Sequence, residues 1–169
     1  CGEIWEATAI AVEESESAAG QVLLLDGSAS PGRITSSVHL VDLATGMCTP
    51  QPDMLRALRY GFAAAKMTDG SIVCAGPGIS AEVFGPPLQR GADAAWTWRA
   101  LSDMSVGRYS SCGCVMTDGR FAVFGGMNDG ALSTCEALSF HGDNYADAHW
   151  ESLPPMHEAR EGSVCATVA

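Results

Sequence analysis

The sequence repeats itself with a period of about 50 residues. Segments 59–77 and 108–126 align without a gap at a shift of 49 residues. Each contains Met-Thr-Asp-Gly, at 67–70 and 116–119, and a glycine follows six residues after that motif. Such a period is typical of chains in which one supersecondary unit is copied in tandem, so it constrains the fold more than any single motif.

A second marker recurs at a similar spacing. Residues 98–104 and 150–156 share Trp-x-x-Leu-x-x-Met at a shift of 52, and a weaker copy, 48–54, lies 50 residues before the first. The apolar run QVLLL at 21–25 lies 50 residues before the corresponding run at 71–75, which follows the first Met-Thr-Asp-Gly. The chain is therefore predicted to contain three repeat units and part of a fourth, at about 1–53, 54–103, 104–155 and 156–169.

Each unit is predicted to form four short β-strands, which makes the chain all-β. A run of small and apolar residues comes first, and Thr-Asp-Gly follows as a tight turn. The second strand is apolar throughout, which indicates burial on both faces and sheets stacked on one another. The fourth strand contains the tryptophan of the second marker.

These features resemble the Kelch-repeat β-propellers, whose period is about 50 residues. The resemblance rests on four features: the diglycine Gly125-Gly126 closing a second strand, Glu82-Val83-Phe84 with Pro86, the stretch 41–54, and the Trp-to-Met segments followed by arginine. It implies a partial propeller of three four-stranded blades plus the first strand of a fourth. Further blades or neighbouring chains would be needed to close or cover such a ring.

The family pattern is altered in the first two units. Cys48 stands at the tryptophan position and His39 at the glutamate position of the first unit, and Gly76-Pro77 replaces the diglycine in the second. The resemblance implies that Gly76, Gly125 and Gly126 lie where the second strand turns sharply toward the third. A phosphate-binding loop would instead open a helix.

Trp98 and Trp150 are expected to have a packing role. Each is large enough to bury ~150–250 Å². Their recurrence at one place per unit favours packing over ligand stacking.

Arginine recurs after each Trp-to-Met segment, at Arg59, Arg108 and Arg160, and Tyr60 and Tyr109 follow the first two. The resemblance implies that these residues lie near the channel mouth, where guanidinium groups would grip the carboxylates of a protein or acidic peptide. The alternative is structural: each arginine bonds loop carbonyls or a neighbouring blade.

The formal net charge of −11 argues against nucleic acid or an anionic membrane surface as the main partner. No apolar run approaches the ~20 residues of a membrane helix, so no membrane insertion is expected. Seven cysteines lack the dense spacing of a disulfide scaffold, which favours a reducing, cytoplasmic compartment.

No nucleophile, general base, metal cluster or cofactor motif stands out. Cys112 and Cys114 project from one face of a strand and, with Cys135 and a histidine, would be possible zinc ligands, but packing of small thiols is the preferred interpretation. The sequence thus predicts a non-enzymatic protein-interaction module. The alternatives are a structural subunit of a large assembly and the propeller domain of an enzyme similar to galactose oxidase, whose copper is held by tyrosine and histidine.

Overall fold

A computed structural model describes residues 7–12, 19–25, 35–56, 61–86, 95–141 and 144–166. These residues form three four-stranded antiparallel sheets and contain no helix. The all-β prediction and the four strands per repeat are therefore confirmed. In every sheet, strands that are consecutive in sequence are neighbours in space.

The strand bounds follow the repeat. Sheet 1 contains β1 (Thr8–Val12), β2 (Gln21–Leu25), β3 (Val38–Asp42) and β4 (Cys48–Gln51). Sheet 2 contains β5 (Ala63–Lys66), β6 (Ile72–Ala75), β7 (Ala81–Gly85) and β8 (Thr97–Ala100). Sheet 3 contains β9 (Cys112–Val115), β10 (Phe121–Phe124), β11 (Cys135–His141) and β12 (Asn144–Leu153).

The chain forms two compact units. Unit 1, Cys1–Tyr60, contains sheet 1, and unit 2, Gly61–Ala169, contains sheets 2 and 3.

The strand registers of sheets 2 and 3 are equivalent position by position. Phe84 lies opposite Trp98 in sheet 2, as Leu138 lies opposite Trp150 in sheet 3. The third strands also match. Glu82 pairs with Cys74, and Glu136 pairs with Val123, which lies 49 residues after Cys74 in the sequence. In unit 1 the equivalent pairs are His39 opposite Leu24 and Cys48 opposite Val41.

The core of unit 2 lies between sheets 2 and 3. Side chains of both sheets form one apolar cluster. It includes five fully buried side chains, those of Val73, Val83, Phe121, Val123 and Leu138. Complete burial of side chains of this kind stabilises the fold by ~1.5–3 kcal/mol each. The second strands β6 and β10 are apolar on both faces because both faces are covered, as their sequences indicate.

The Thr-Asp-Gly turns have one construction in both sheets of unit 2. Asp69 Oδ1 accepts a hydrogen bond from the N–H of Ser71 at 2.9 Å, and Asp118 Oδ1 accepts one from the N–H of Arg120 at 3.1 Å. This short-range bond stabilises the turn, as is usual for aspartate at such positions. The motif therefore encodes strand reversal.

The expected first strand of a fourth blade is absent from residues 156–166, which form no strand. Only an isolated bridge joins Arg160 to Leu132. A first strand is normally held by the second strand of its own sheet, and no such neighbour exists among the described residues.

Candidate functional site

One edge of unit 2 gathers four chain segments, and we call it the diglycine edge. It consists of the β6–β7 connection (76–80), the residues before β9 (105–111), the β10–β11 connection (125–134) and the residues after β12 (154–162). Isolated bridges join these segments: Gly78 with Arg108, Tyr109 with Met127, and Leu132 with Arg160. Their hydrogen bonds measure between 2.8 and 3.0 Å, so the edge is continuous across both sheets.

Gly125 and Gly126 lie where three of these segments meet. Their φ angles are +59° and +96°, in the region that glycine adopts without strain. A Cβ on Gly126 would lie 2.6 Å from the carbonyl oxygen of Tyr109, and a Cβ on Gly125 would overlap the carbonyl oxygen of Arg160. The absence of a side chain therefore allows two backbones to approach the end of β10.

Gly76 occupies the matching place after β6. Its φ is +84°, and a Cβ there would lie 3.2 Å from the carbonyl oxygen of Arg108. Its N–H donates to the carbonyl of Ser80 at 2.8 Å, as the N–H of Gly125 donates to that of Thr134 at 3.0 Å. The two connections thus share one backbone pattern.

The side chain of Arg108 is fully buried beneath this edge. Nη1 donates to the carbonyl oxygens of Gly125 at 2.7 Å and Thr134 at 3.0 Å, and Nη2 donates to Glu136 Oε1 at 2.6 Å. Charge-assisted bonds of this kind are stronger than neutral ones. The guanidinium therefore holds the β10–β11 connection from inside the protein.

Glu136 supplies the other half of this buried ion pair. Its carboxylate accepts hydrogen bonds from the N–H groups of Ser105 at 2.8 Å and Val106 at 3.1 Å. Burial alone raises the pKa of Glu136, but the hydrogen bonds from Arg108 and the two N–H groups together hold the pKa below its usual 4.5. The ionised carboxylate thus fixes the segment that leads from sheet 2 to sheet 3.

The expectation that Arg108 faces a partner is wrong for this position. Its side chain is 0% exposed and bonds loop carbonyls, which is the structural alternative. Arg160 differs, because its side chain is 59% exposed and pairs with Glu158 at 3.1 Å. The predicted residues Arg59 and Tyr60 lie outside the described residues.

Tyr109 is exposed on the diglycine edge, with 46% of its surface open to solvent. Two further large apolar side chains, Met127 at 41% and Ile79 at 46%, are exposed on the same edge. Met127 pairs with Tyr109 through the backbone, and Ile79 lies at the matching connection of sheet 2. Sequence reasoning missed both, although Met127 directly follows Gly126 and Ile79 comes three residues after Gly76.

The tryptophans lie in the interior of unit 2 or at its border. Trp98 is 6% exposed, and its ring centroid lies 5.1 Å from that of Phe84. Trp150 is half-buried, meets the Phe121 ring edge-on at 6.3 Å, and donates from Nε1 to the carbonyl of Ser102 at 2.8 Å. The last bond joins β12 to the residues after β8.

The described residues hold no group of three or more His, Cys, Asp or Glu side chains arranged to bind a metal ion. Cys135 is buried on β11, and strand β10 lies between it and the half-buried Cys112 and Cys114 on β9. Cys48 is disulfide-bonded.

Within the described ranges, no helix is long and apolar enough to cross a membrane.

Neither a protein-family model nor a curated protein sequence matches this chain. Solved structures do match, and one of them is described as a novel fungal alcohol oxidase with catalytic diversity among the AA5 family, in complex with copper. The two chains are 23% identical with a TM-score of 0.54, and the match covers 88% of this chain and 30% of that chain. The likeness establishes a shared fold, and this chain spans less than a third of the oxidase's length.

Proposed function

We propose that the chain is a portion of a Kelch-type β-propeller and that it acts as a protein-interaction module through the diglycine edge. The equivalent registers of sheets 2 and 3 support the propeller, as does a repeat of about 50 residues. Sheets 2 and 3 also stack face to face around one apolar cluster, which is how successive blades would bury their faces.

The exposed apolar side chains on this edge carry the binding proposal. The side chains of Tyr109, Met127 and Ile79 are exposed on a backbone whose segments are joined by β-bridges. Tyrosine and methionine are enriched at the centres of protein interfaces. A rigid backbone also lowers the entropy lost when a partner binds.

The charges around this edge indicate the chemistry of the partner. Arg160 is already paired with Glu158, and Asp129 and Glu161 add negative charge nearby. Because Arg108 is buried, the ring of guanidinium groups expected to attract an acidic peptide is incomplete. A protein segment with an apolar side chain flanked by Lys or Arg would complement this surface better.

Site-specific photo-crosslinking tests the proposal. A photoreactive amino acid would replace Tyr109 in one variant of the full protein and the exposed Thr117, on the opposite edge, in another. We expect one partner to be crosslinked from position 109 and not from 117. The purified partner should then bind Tyr109→Ala about tenfold or more weakly, while Thr117→Ala binds normally. Equal crosslinking from both edges, or unchanged affinity, would reject the diglycine edge.

A second candidate is a segment of a copper-dependent alcohol oxidase. The fold shared with the fungal AA5 oxidase is the observation that favours it. The protein would then bind copper stoichiometrically and, when given an alcohol and molecular oxygen, release hydrogen peroxide. Metal analysis and a peroxide assay separate the two functions, because an interaction module predicts neither result.

A further inference from the structure

A cavity of about 260 Å³ opens between the Thr-Asp-Gly turns of sheets 2 and 3. Residues 67–69 form one wall, residues 118–120 form a second, and Leu138 and Phe140 of β11 complete the lining. The cavity lies at the other end of the strands from the diglycine edge, because it is next to the β5–β6 and β9–β10 turns. Both Thr-Asp-Gly motifs therefore build a cavity in addition to reversing the chain.

Asp69 provides this cavity with a fixed carboxylate. Its Oδ1 accepts hydrogen bonds from the N–H of Ser71 at 2.9 Å and from the Ser71 hydroxyl at 2.6 Å. Its Oδ2 accepts one from the hydroxyl of Tyr145 at 3.0 Å. All three donors are neutral, and none of the ion pairs between described residues includes Asp69. The carboxylate is thus held in place while its negative charge stays uncompensated by a described cation.

Arg120, the cationic residue of the lining, is already engaged by two carboxylates. Its Nη2 lies 2.8 Å from Asp118 Oδ2, and its Nη1 lies 3.0 Å from Glu151 Oε2. The lining contains two carboxylates and one guanidinium, so its net charge is negative. A wall of this charge attracts a cation and repels an anion.

The remaining lining is apolar and suits a small hydrophobic body. Met67 and Leu138 are buried, and the half-buried ring of Phe140 has its centroid 5.2 Å from that of Tyr145. Thioether and aromatic surfaces pack well against a ring or an alkyl chain, and an aromatic ring also attracts a cation. The cavity is smaller than the ~300–1,000 Å³ of sites for drug-sized ligands, so one ring or one short chain would fill it.

We propose that this cavity binds a small organic cation, a primary ammonium group on a single aromatic ring or a short alkyl chain. A carboxylate has about four acceptor positions, and three of those of Asp69 are used, so one remains for the ammonium. The apolar body would then lie against Met67, Leu138 and Phe140. The inference does not depend on the partner-binding proposal, because the cavity lies at the other edge of unit 2 and takes a small molecule.

Methyl NMR of the full protein with ¹³C-labelled methionine tests the site. Benzylammonium is the probe, and benzyl alcohol is its neutral control, since the two compounds share a ring and a methylene. We expect benzylammonium at pH 7 to shift the Met67 signal saturably, with a Kd on the order of 1 mM, and to leave Met127 on the diglycine edge unchanged. Benzyl alcohol lacks the charge and should bind about three- to fivefold more weakly.

Asp69→Asn isolates the contribution of the carboxylate. Asparagine keeps an acceptor for Ser71 but has no charge, so benzylammonium should bind about three- to fivefold more weakly while benzyl alcohol binds as before. The alcohol separates loss of charge from loss of fold, because an unfolded variant would bind neither compound. Asp103→Asn is the matched control, since it removes the charge of an exposed aspartate outside the cavity and should leave both affinities unchanged.

Three results would overturn the proposal. The first is equal affinity of the natural protein for benzylammonium and benzyl alcohol, a comparison that decides even if Asp69→Asn fails to fold. The second is an equal loss of benzylammonium affinity in Asp69→Asn and Asp103→Asn. The third is a shift of the Met127 signal without a shift of the Met67 signal.

Discussion

At the scale of single residues, Arg108 was predicted from the sequence to lie at a binding surface, but its side chain is buried and stabilises the interior. Arg108 and Arg160 occupy the same position of the repeat, yet one is fully buried and the other exposed. The difference is a buried carboxylate, Glu136, within reach of Arg108. A recurrent arginine therefore does not by itself identify a recurrent function.

Removing the buried guanidinium should destabilise the fold strongly. Arg108→Ala leaves the Glu136 carboxylate buried without its cation, and we expect a loss of ~3–5 kcal/mol in the free energy of unfolding. Arg160→Ala is the matched control, because an exposed ion pair contributes about 0–1 kcal/mol. Urea titrations of both variants measure this. Equal losses would contradict the structural assignment of Arg108.

The ion pair should also show a pH signature. Because the pKa of Glu136 is lower in the folded protein than the usual 4.5, its ionised form stabilises the fold above about pH 4.5. This contribution is lost as pH falls through the folded-state pKa. The difference in unfolding free energy between the natural protein and Glu136→Gln should therefore shrink from about pH 6 toward pH 3. A difference that stays constant over this range would oppose the assignment.

At the scale of elements, the connections after β6 and β10 carry a glycine requirement. Gly126 has both a positive φ and a carbonyl oxygen close to the place of a Cβ. Gly119 has a positive φ of +86° and nothing within 4 Å. The pair separates the cost of backbone conformation from the cost of close approach.

Alanine at these two glycines should therefore have unequal effects. Gly119→Ala is expected to cost ~1–2 kcal/mol from its backbone conformation alone. Gly126→Ala adds an overlap with the carbonyl oxygen of Tyr109 and should cost at least about 2 kcal/mol more. Thermal melts of the two variants test this. Matching melting temperatures would show that the close approach is relaxed at no cost.

Trp98 provides a test of the packing role assigned to the fourth strands. It is 6% exposed and packs against Phe84, so Trp98→Ala should cost ~3–5 kcal/mol. Trp96 directly precedes the same strand but is 37% exposed, so Trp96→Ala is the control and should cost much less. A Trp98→Ala protein as stable as the Trp96→Ala protein would refute the packing role.

The sequence predicts elements better than it predicts partners of buried groups. Strand reversal and strand burial follow from short motifs, because Thr-Asp-Gly and continuous apolar runs act locally. The Arg108–Glu136 pair was not predicted. A usable signal was nevertheless present, because each of two apolar third strands contains a single glutamate, Glu82 and Glu136. The contact between Cys112 and Ser163, at 3.5 Å, had no signal, because it depends on how a segment folds back across a whole repeat.

At the scale of the whole molecule, each unit exposes large apolar side chains. Unit 1 exposes Leu43 (54%), Met47 (64%) and Leu55 (55%), and unit 2 exposes the apolar part of the diglycine edge. Surfaces of this kind are usually covered by other chains or domains. We therefore expect the 169-residue chain to self-associate, with an apparent mass that rises with concentration in sedimentation experiments. A mass that stays monomeric at all concentrations would contradict this.

The central claim is that one four-stranded module is copied along the chain, and cross-strand NOEs test it most directly. We predict that Val73 shows backbone NOEs to Val83, which in turn pairs with Arg99. Residues about 50 positions later should repeat the pattern, with Ala122 facing Ala137 and Ala137 facing Glu151. Helical sequential NOEs in these segments, or strand registers that differ between the two sheets, would contradict the account.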